Sequence, residues 1–287
     1  MKARTLYHGL LDHDGPYQDD IDRWLGQATA PGYLERLRTA AVHSGWWADE
    51  ERDGPALLEE LYALGRVADV LLLDPPGPLG SPCSPCSVGS RLPCRLRLFT
   101  ALGMTPFDGA GPFDPFLHEI VEVEQAEDPQ APIEVLEVRH PGLMLGELLF
   151  GRAGVRIRAG AAHAERGVAD RFPLYWTFRR AGRTTRDLSQ GWGGNSQWST
   201  DFRLDYRTPG GDHLNVAENG SVDGRPELGH YRDLGPEERL LTPAERRELL
   251  RHRCLLRTPR AAAELAASPG WEDDLFPYEW RLPAGEA

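Results

Sequence analysis

The chain has 287 residues, 40% of them hydrophobic and 26% charged, with a formal net charge of −12. That length supports a sizeable core and excludes a disordered, collagen-like or coiled-coil chain. Of the 32 Lys and Arg residues only Lys2 is lysine. Schiff-base chemistry, pyridoxal phosphate attachment, a Walker A loop and a kinase all need a lysine inside the fold, so these classes are excluded. An acidic chain without a basic run is a poor ligand for duplex nucleic acid, and it is repelled by anionic membranes. No nucleic-acid partner and no membrane partner are expected. The first fifteen residues hold no apolar run of signal-peptide length, and four cysteines make no disulfide scaffold, so a cytoplasmic protein is expected.

Residues 1–73 carry a helical pattern. Asp19–Gln27, Pro31–Val42 and Pro55–Leu73 place apolar residues at helical spacing, the last with Leu57, Leu58, Leu61, Leu64, Val67 and Val70. Val70–Leu73 also reads as a short buried strand. Earlier still, Thr5-Leu6-Tyr7-His8-Gly9 resembles the nicotinamide-binding strand of some ADP-ribosyltransferases. The resemblance covers five residues, and that family's later tyrosine and catalytic glutamate motifs have no match, so no family is assigned.

Residues 74–96, rich in Pro, Gly, Ser and Cys, read as a loop. Cys83, Cys86 and Cys94 lie in it. A Cys-x-x-Cys pair can present two thiolates to zinc, but a structural site needs four ligands and the remaining cysteine, Cys254, is remote. Free thiols are the reading here, with no bound metal and no cofactor expected.

Residues 97–236 read as β-rich. Phe116–Glu124 alternates, which would put Val121 and Val123 on one face and His118, Glu122 and Glu124 on the other. That placement makes His118 and Glu122 candidates for acid–base chemistry or metal binding, against a plainer reading in which the glutamates pair with arginines across a solvated sheet. Ile133–Arg139 is a second strand. Leu143–Phe150 is continuously apolar and reads as one strand buried on both faces. Gly154–Ala159 puts Arg156 and Arg158 on one face, and Leu174–Arg180 is a further candidate. Trp198–Arg207 alternates over ten residues, and Pro209-Gly210-Gly211 then turns the chain into His213–Glu218. Asn219-Gly220 is a second hairpin signal.

Between these strands, Gly191 to Trp198 combines three glycines with Trp192, Asn195, Ser196, Gln197 and Trp198. Glycines permit close backbone approach, tryptophans supply apolar walls, and the neutral polar side chains supply directional hydrogen bonds. Loops of this kind on a rigid scaffold carry binding. Arg179 and Arg180, just upstream, could grip a carboxylate or phosphate. Trp192, Asn195, Gln197, Trp198, Arg179 and Arg180 are the binding candidates.

The C-terminal residues 237–287 read as helical, opened by a capping box at Thr242-Pro243-Ala244-Glu245. The whole therefore reads as one α+β domain over 1–287. Its core is a largely antiparallel sheet of about six to seven strands between residues 116 and 220, with helices from both ends packed on it. A separate helical domain before residue 96 is the alternative. Two functions fit. The first is a binding or accessory protein, immunity-like or an assembly factor, that recognises a protein partner. The second is a small-molecule enzyme with a pocket lined by Trp176, Trp192 and Trp198 and with His118, Glu122 or His213 as acid or base.

Overall fold

The computed structural model describes residues 3–11, 17–28, 31–49, 51, 53–73, 88–170, 202–218, 220–223, 242–252 and 278–285. The fold is α+β, with antiparallel pairing predominating among the described strands. By backbone contacts the chain divides into two compact units. One takes its described residues from Met1–Pro106 and Leu143–Gly151, together with Phe202. The other takes them from Phe107–Gly142, Arg152–Arg179 and Arg203–Ala287.

In the first unit, helices α1 (Ala3–Leu11), α2 (Tyr17–Ala28), α3 (Pro31–Thr39), α4 (Gly54–Val70) and α5 (Val88–Ala101) follow in chain order. The pattern of residues 17–73 predicts α2, α3 and α4. Helix α4 has apolar residues on every side and is buried along nearly its whole length, with α1 packed against it. Its buried charges have partners. Glu60 accepts hydrogen bonds from the Ala3 N–H at 2.7 Å and from the Tyr33 hydroxyl at 2.6 Å. Burial and the neighbouring Glu60 carboxylate both push the Tyr33 hydroxyl pKa up, so Tyr33 stays a donor. Arg66 pairs with Asp69 at 3.0 Å. The chain leaves α4 through a turn at Leu71–Leu73, so no strand forms at Val70–Leu73.

Three expectations fail here. Thr5–Gly9 lies inside α1, so the strand that carried the ADP-ribosyltransferase resemblance does not exist. The loop expected over 74–96 gives way to helix from Val88, with Pro93 inside it; residues 74–87 lie outside the described residues. The buried residues described on α5 are Arg91, Arg95, Leu98 and Phe99, so two of the four are arginines and apolar spacing alone misses the helix. Pro93 sits on the exposed side. Finally, Leu143–Phe150 is a hairpin rather than one strand. β4 (Gly142–Leu145) pairs antiparallel with β5 (Leu148–Gly151), following β1 (Thr105–Phe107) in sheet order. Gly146, at φ 57°, opens the two-residue turn. Glu147 fixes that turn to the end of α3: its N–H donates to the Ala41 carbonyl, and its carboxylate accepts the His43 N–H.

The second unit holds a three-stranded sheet in the order β2 (His118–Gln125), β6 (Ala153–Ala159), β3 (Glu134–His140). β6 runs parallel to β2 and antiparallel to β3. Its other strands are β7 (Tyr206–Thr208), β8 (Gly211–Leu214), β10 (Tyr278–Pro283) and β9 (Gly220–Ser221), in that order. β7 and β8 form a hairpin on Pro209-Gly210. The strand expected over Trp198–Arg207 is paired only from Tyr206; residues 198–201 lie outside the described residues. Asn215 takes a positive φ of 57° and gives its N–H to the Asp205 carboxylate at 2.9 Å, which ends the ladder there. β8 and β9 are not paired as the hairpin expected at Asn219-Gly220, because β10 enters between them and pairs with both; Asn219 lies outside the described residues. The C-terminal region is therefore not wholly helical. Helix α6 (Pro243–His252) does begin with the expected capping box, Thr242 N–H donating to Glu245 and Glu245 N–H to the Thr242 hydroxyl.

Candidate functional site

His118 begins β2 and is buried, at 3% exposure. Its Nδ1 accepts the Asp114 N–H at 2.9 Å, so Nε2 carries the proton and donates to the Gly109 carbonyl at 2.9 Å. Burial pulls its pKa below the ordinary histidine value, and this outweighs the Gly109 bond and the Asp114 carboxylate. Both ring nitrogens are thus used on backbone groups, in a neutral ring. The sequence pattern carries no sign of this, since it requires knowing that residues 109 and 114 fold back on 118.

Glu122 is not on the His118 face. The register of β2 on β6 slips between Ile120 and Glu122, so Val121 is an extra residue in a β-bulge. Because side chains alternate with period two, one inserted residue exchanges the faces beyond it. Ile120 and Val123 then share the buried face of His118, beside Val155 and Ile157 of β6. Glu122 and Glu124 join Glu119 on the other face. The expected grouping of His118, Glu122 and Glu124 is corrected by this bulge.

The Glu119 face is a lattice of alternating charge. Arg156 on the central strand is registered against Glu122 on one side and Glu137 on the other, and Arg158 against Glu124 and Glu134. Arg139 bonds Glu122 and Glu137, both at 2.9 Å. Arg158 bonds Glu124 at 2.7 Å, and Arg156 also bonds Glu124. The hydrogen bond and charge of Arg158 hold the Glu124 carboxyl below the usual carboxylate range. Exposed pairs of this type contribute little stability, but they fix side-chain positions on a solvent-facing surface.

At one end of that lattice lies a pair the sequence reading missed. Gly154 on β6 is registered against Glu119 and His140, so nothing stands between them. His140 Nε2 approaches Glu119 Oε1 to 3.1 Å, with both side chains under a tenth exposed. His140 Nδ1 accepts the Gly154 N–H at 3.3 Å. A Cβ at position 154 would fall 2.2 Å from His140 Nε2, so glycine is what lets the ring lie across the strand. The signal was the single glycine between two registers, which has meaning only once the bulges are known.

His213 sits on β8, where its Nε2 lies 3.4 Å from the Thr208 hydroxyl. The neighbouring pair in the hairpin, Arg207 and Asp212, is bonded through two contacts at 2.7 and 2.8 Å. Arg207 also reaches Asp114 at 2.6 Å and lies over the Phe116 ring at 4.5 Å. The Asp212 bond, together with Asp114, raises the Arg207 pKa against the opposing effect of burial. Burial works to raise the Asp114 pKa, but the Arg207 bond and the Phe116 and Leu117 N–H groups outweigh it and hold the carboxyl below its ordinary value. The structure therefore links Asp114, His118, Arg207 and Asp212 in one network, while Glu122 lies on the opposite face of the sheet from His118.

Trp192, Asn195, Gln197, Trp198, Arg179 and Arg180, with Trp176, lie outside the described residues, as do Cys83, Cys86 and Cys254. Cys94 is on α5, its thiol donating to the Gln18 side-chain carbonyl at 3.2 Å, and burial pushes its pKa up. Among the described residues, no three His, Cys, Asp or Glu side chains gather as a metal site, and no helix is long and apolar enough to cross a membrane. Comparison with protein-family models, with curated proteins and with solved structures finds no match.

Proposed function

We propose that this chain is a binding or accessory protein that recognises a protein partner, with residues 179–198 as its principal contact segment and the mixed-charge sheet face as a secondary one. The observation that carries this reading is the commitment of two of the three candidate acid–base groups, His118 and Glu122, to architecture. His118 uses both ring nitrogens on backbone, and Glu122 is held by Arg139 and Arg156. The alternative, an enzyme with those groups as acid and base, would have to break these bonds to use them. The contact segment offers tryptophan and arginine, the residue types favoured as interface anchors, with Asn195 and Gln197 as directional polar groups.

The test is quantitative capture of partners from the producing cell by the wild-type chain and by Asn195→Ala/Gln197→Ala. Two lost hydrogen bonds at about 1 kcal/mol each weaken binding by about 10–30-fold. The expected result is one protein retained in fixed proportion by the wild type and depleted by that factor with the variant, at unchanged Tm. Equal retention by both chains, or a variant that unfolds, would remove the segment from the binding surface.

A further inference from the structure

The segment between β1 and β2 is anchored at its C-terminal end by the buried Pro115 and Phe116 and by the Leu117 carbonyl, which accepts the Ala153 N–H at 2.9 Å, and along the rest by side-chain bonds that include a histidine. Residues 108–117 hold no helix or strand, and Asp108, Ala110, Gly111 and Pro112 are exposed. Gly109 and Gly111 take positive φ values of 67° and 120°, which sharpens the bends at that end. Arg207 and His118 are among the side chains that bond into it from outside. Arg207 grips the Asp114 carboxylate. The His118 ring grips the backbone twice, at Gly109 O and at Asp114 N–H.

We propose that His118 is a proton-operated latch on residues 108–117: the neutral ring holds the segment closed, and protonation releases it while strands β2, β6 and β3 stay paired. The reason is geometric. Nδ1 closes the latch as an acceptor, and in the imidazolium both ring nitrogens are donors, so the Asp114 N–H would face another N–H. The Nε2 bond to Gly109 survives protonation; the Asp114 bond does not. The charged groups around the ring do not cancel this. Asp114 lies on the segment itself and attracts the imidazolium. Arg207, from β7, repels it and already occupies the Asp114 carboxylate, with Asp212 of β8 behind it. From β6 the ring is registered against Ala153, which carries no charge, and the Phe113 ring lies at 5.6 Å. Glu119 and His140 are on the opposite face of the sheet.

The direction with pH follows. The closed form holds His118 below its ordinary value, and in the released segment that value returns to about 6.5. The released form therefore binds the proton more tightly. Acid favours release from about pH 6.5 down to the lower value of the closed form, and above about 6.5 the opening equilibrium is flat in pH.

Amide hydrogen exchange read by mass spectrometry, with intrinsic exchange rates divided out, tests this between pH 7.5 and 5.0. Opening of residues 108–117 should rise by up to about tenfold per pH unit below about 6.5, while 134–140 and 153–159 keep their protection. His118→Asn, whose amide oxygen can accept the Asp114 N–H but does not titrate, should abolish the dependence. A flat wild-type profile, the same rise in the variant, or joint opening of the three strands would each overturn the latch. If the variant does not fold, the His118 ring resonance in the wild type decides: its NMR titration must share its midpoint with the loss of protection, and separate midpoints overturn it.

Discussion

Gly211→Ala should lower unfolding stability by about 4 kcal/mol, taking about 1–3 for a strained dihedral and about 1–3 for overpacking. Gly211 has φ 127°, a conformation alanine rarely adopts. It is also registered against Thr208 on one side and Pro283 on the other, in the middle of three paired strands. A Cβ there would lie 2.1 Å from the Leu282 carbonyl oxygen and 2.9 Å from the Ala284 nitrogen. These are backbone atoms and cannot rotate away, so β10 must separate from β8. Gly210→Ala is the control. Its Cβ would meet only side-chain ends, Arg281 Nη2 at 3.2 Å and Thr208 Oγ1 at 3.7 Å, and its φ is not positive. That variant should cost less than about 1 kcal/mol. Urea denaturation of the two chains checks the contrast. Equal midpoints would mean that β10 does not pack on β8 in this register.

Asp205→Ala should cost about 3–5 kcal/mol, the range for removing one member of a buried ion pair. Asp205 is 2% exposed and accepts from Arg152 at 2.9 Å; the arginine side chain is 10% exposed. The same carboxylate receives the Asn215 N–H, which holds Asn215 in its left-handed conformation. Truncation leaves a buried guanidinium without this carboxylate and removes the bond that fixes Asn215. Asp205→Asn separates the two effects. It keeps an acceptor for Asn215 but removes the charge opposite Arg152, so it should restore part of the loss. A loss below about 1 kcal/mol in the alanine variant would show that Arg152 readily reaches water or another acceptor.

Asp205 also illustrates what single-sequence reading misses. Strict alternation over Trp198–Arg207 places Asp205 on the polar side of a ten-residue strand, yet it is buried and its ladder stops short. Alternation reports a face only while the register holds. At Val121 an extra residue broke the register and moved Glu122 away from His118. Helix α5 escapes the apolar pattern for another reason: Arg91 and Arg95 sit on its buried face, where apolar spacing counts them as polar. Leu143–Phe150 reads as one strand because Gly146-Glu147 is a weak turn signal inside an apolar run, whereas it folds as a hairpin. Strand β10 arrives from far along the chain, and no local pattern announces such an insertion.

The legible parts were those in which sequence-local physics dominates. α4 repeats its apolar residues over several turns, and Thr242 and Glu245 satisfy the first N–H groups of α6 reciprocally. The pairing of Glu122 and Glu124 with arginines followed from ordinary cross-strand chemistry. The Glu119–His140 pair needed three strands and two register slips to assemble, and the His118 network needed a folded loop. Each of these depends on contacts distant in sequence.

The function proposed for this chain is recognition of a protein partner rather than small-molecule chemistry. A native mass spectrum of the reduced chain, isolated from its own cell without chelator, tests that most directly. The account predicts a peak for the chain with a second polypeptide in fixed stoichiometry, which separates on activation into two unmodified chains. A monomer carrying a small-molecule or metal mass, with no polypeptide partner, would contradict it and return the search to a bound substrate or cofactor.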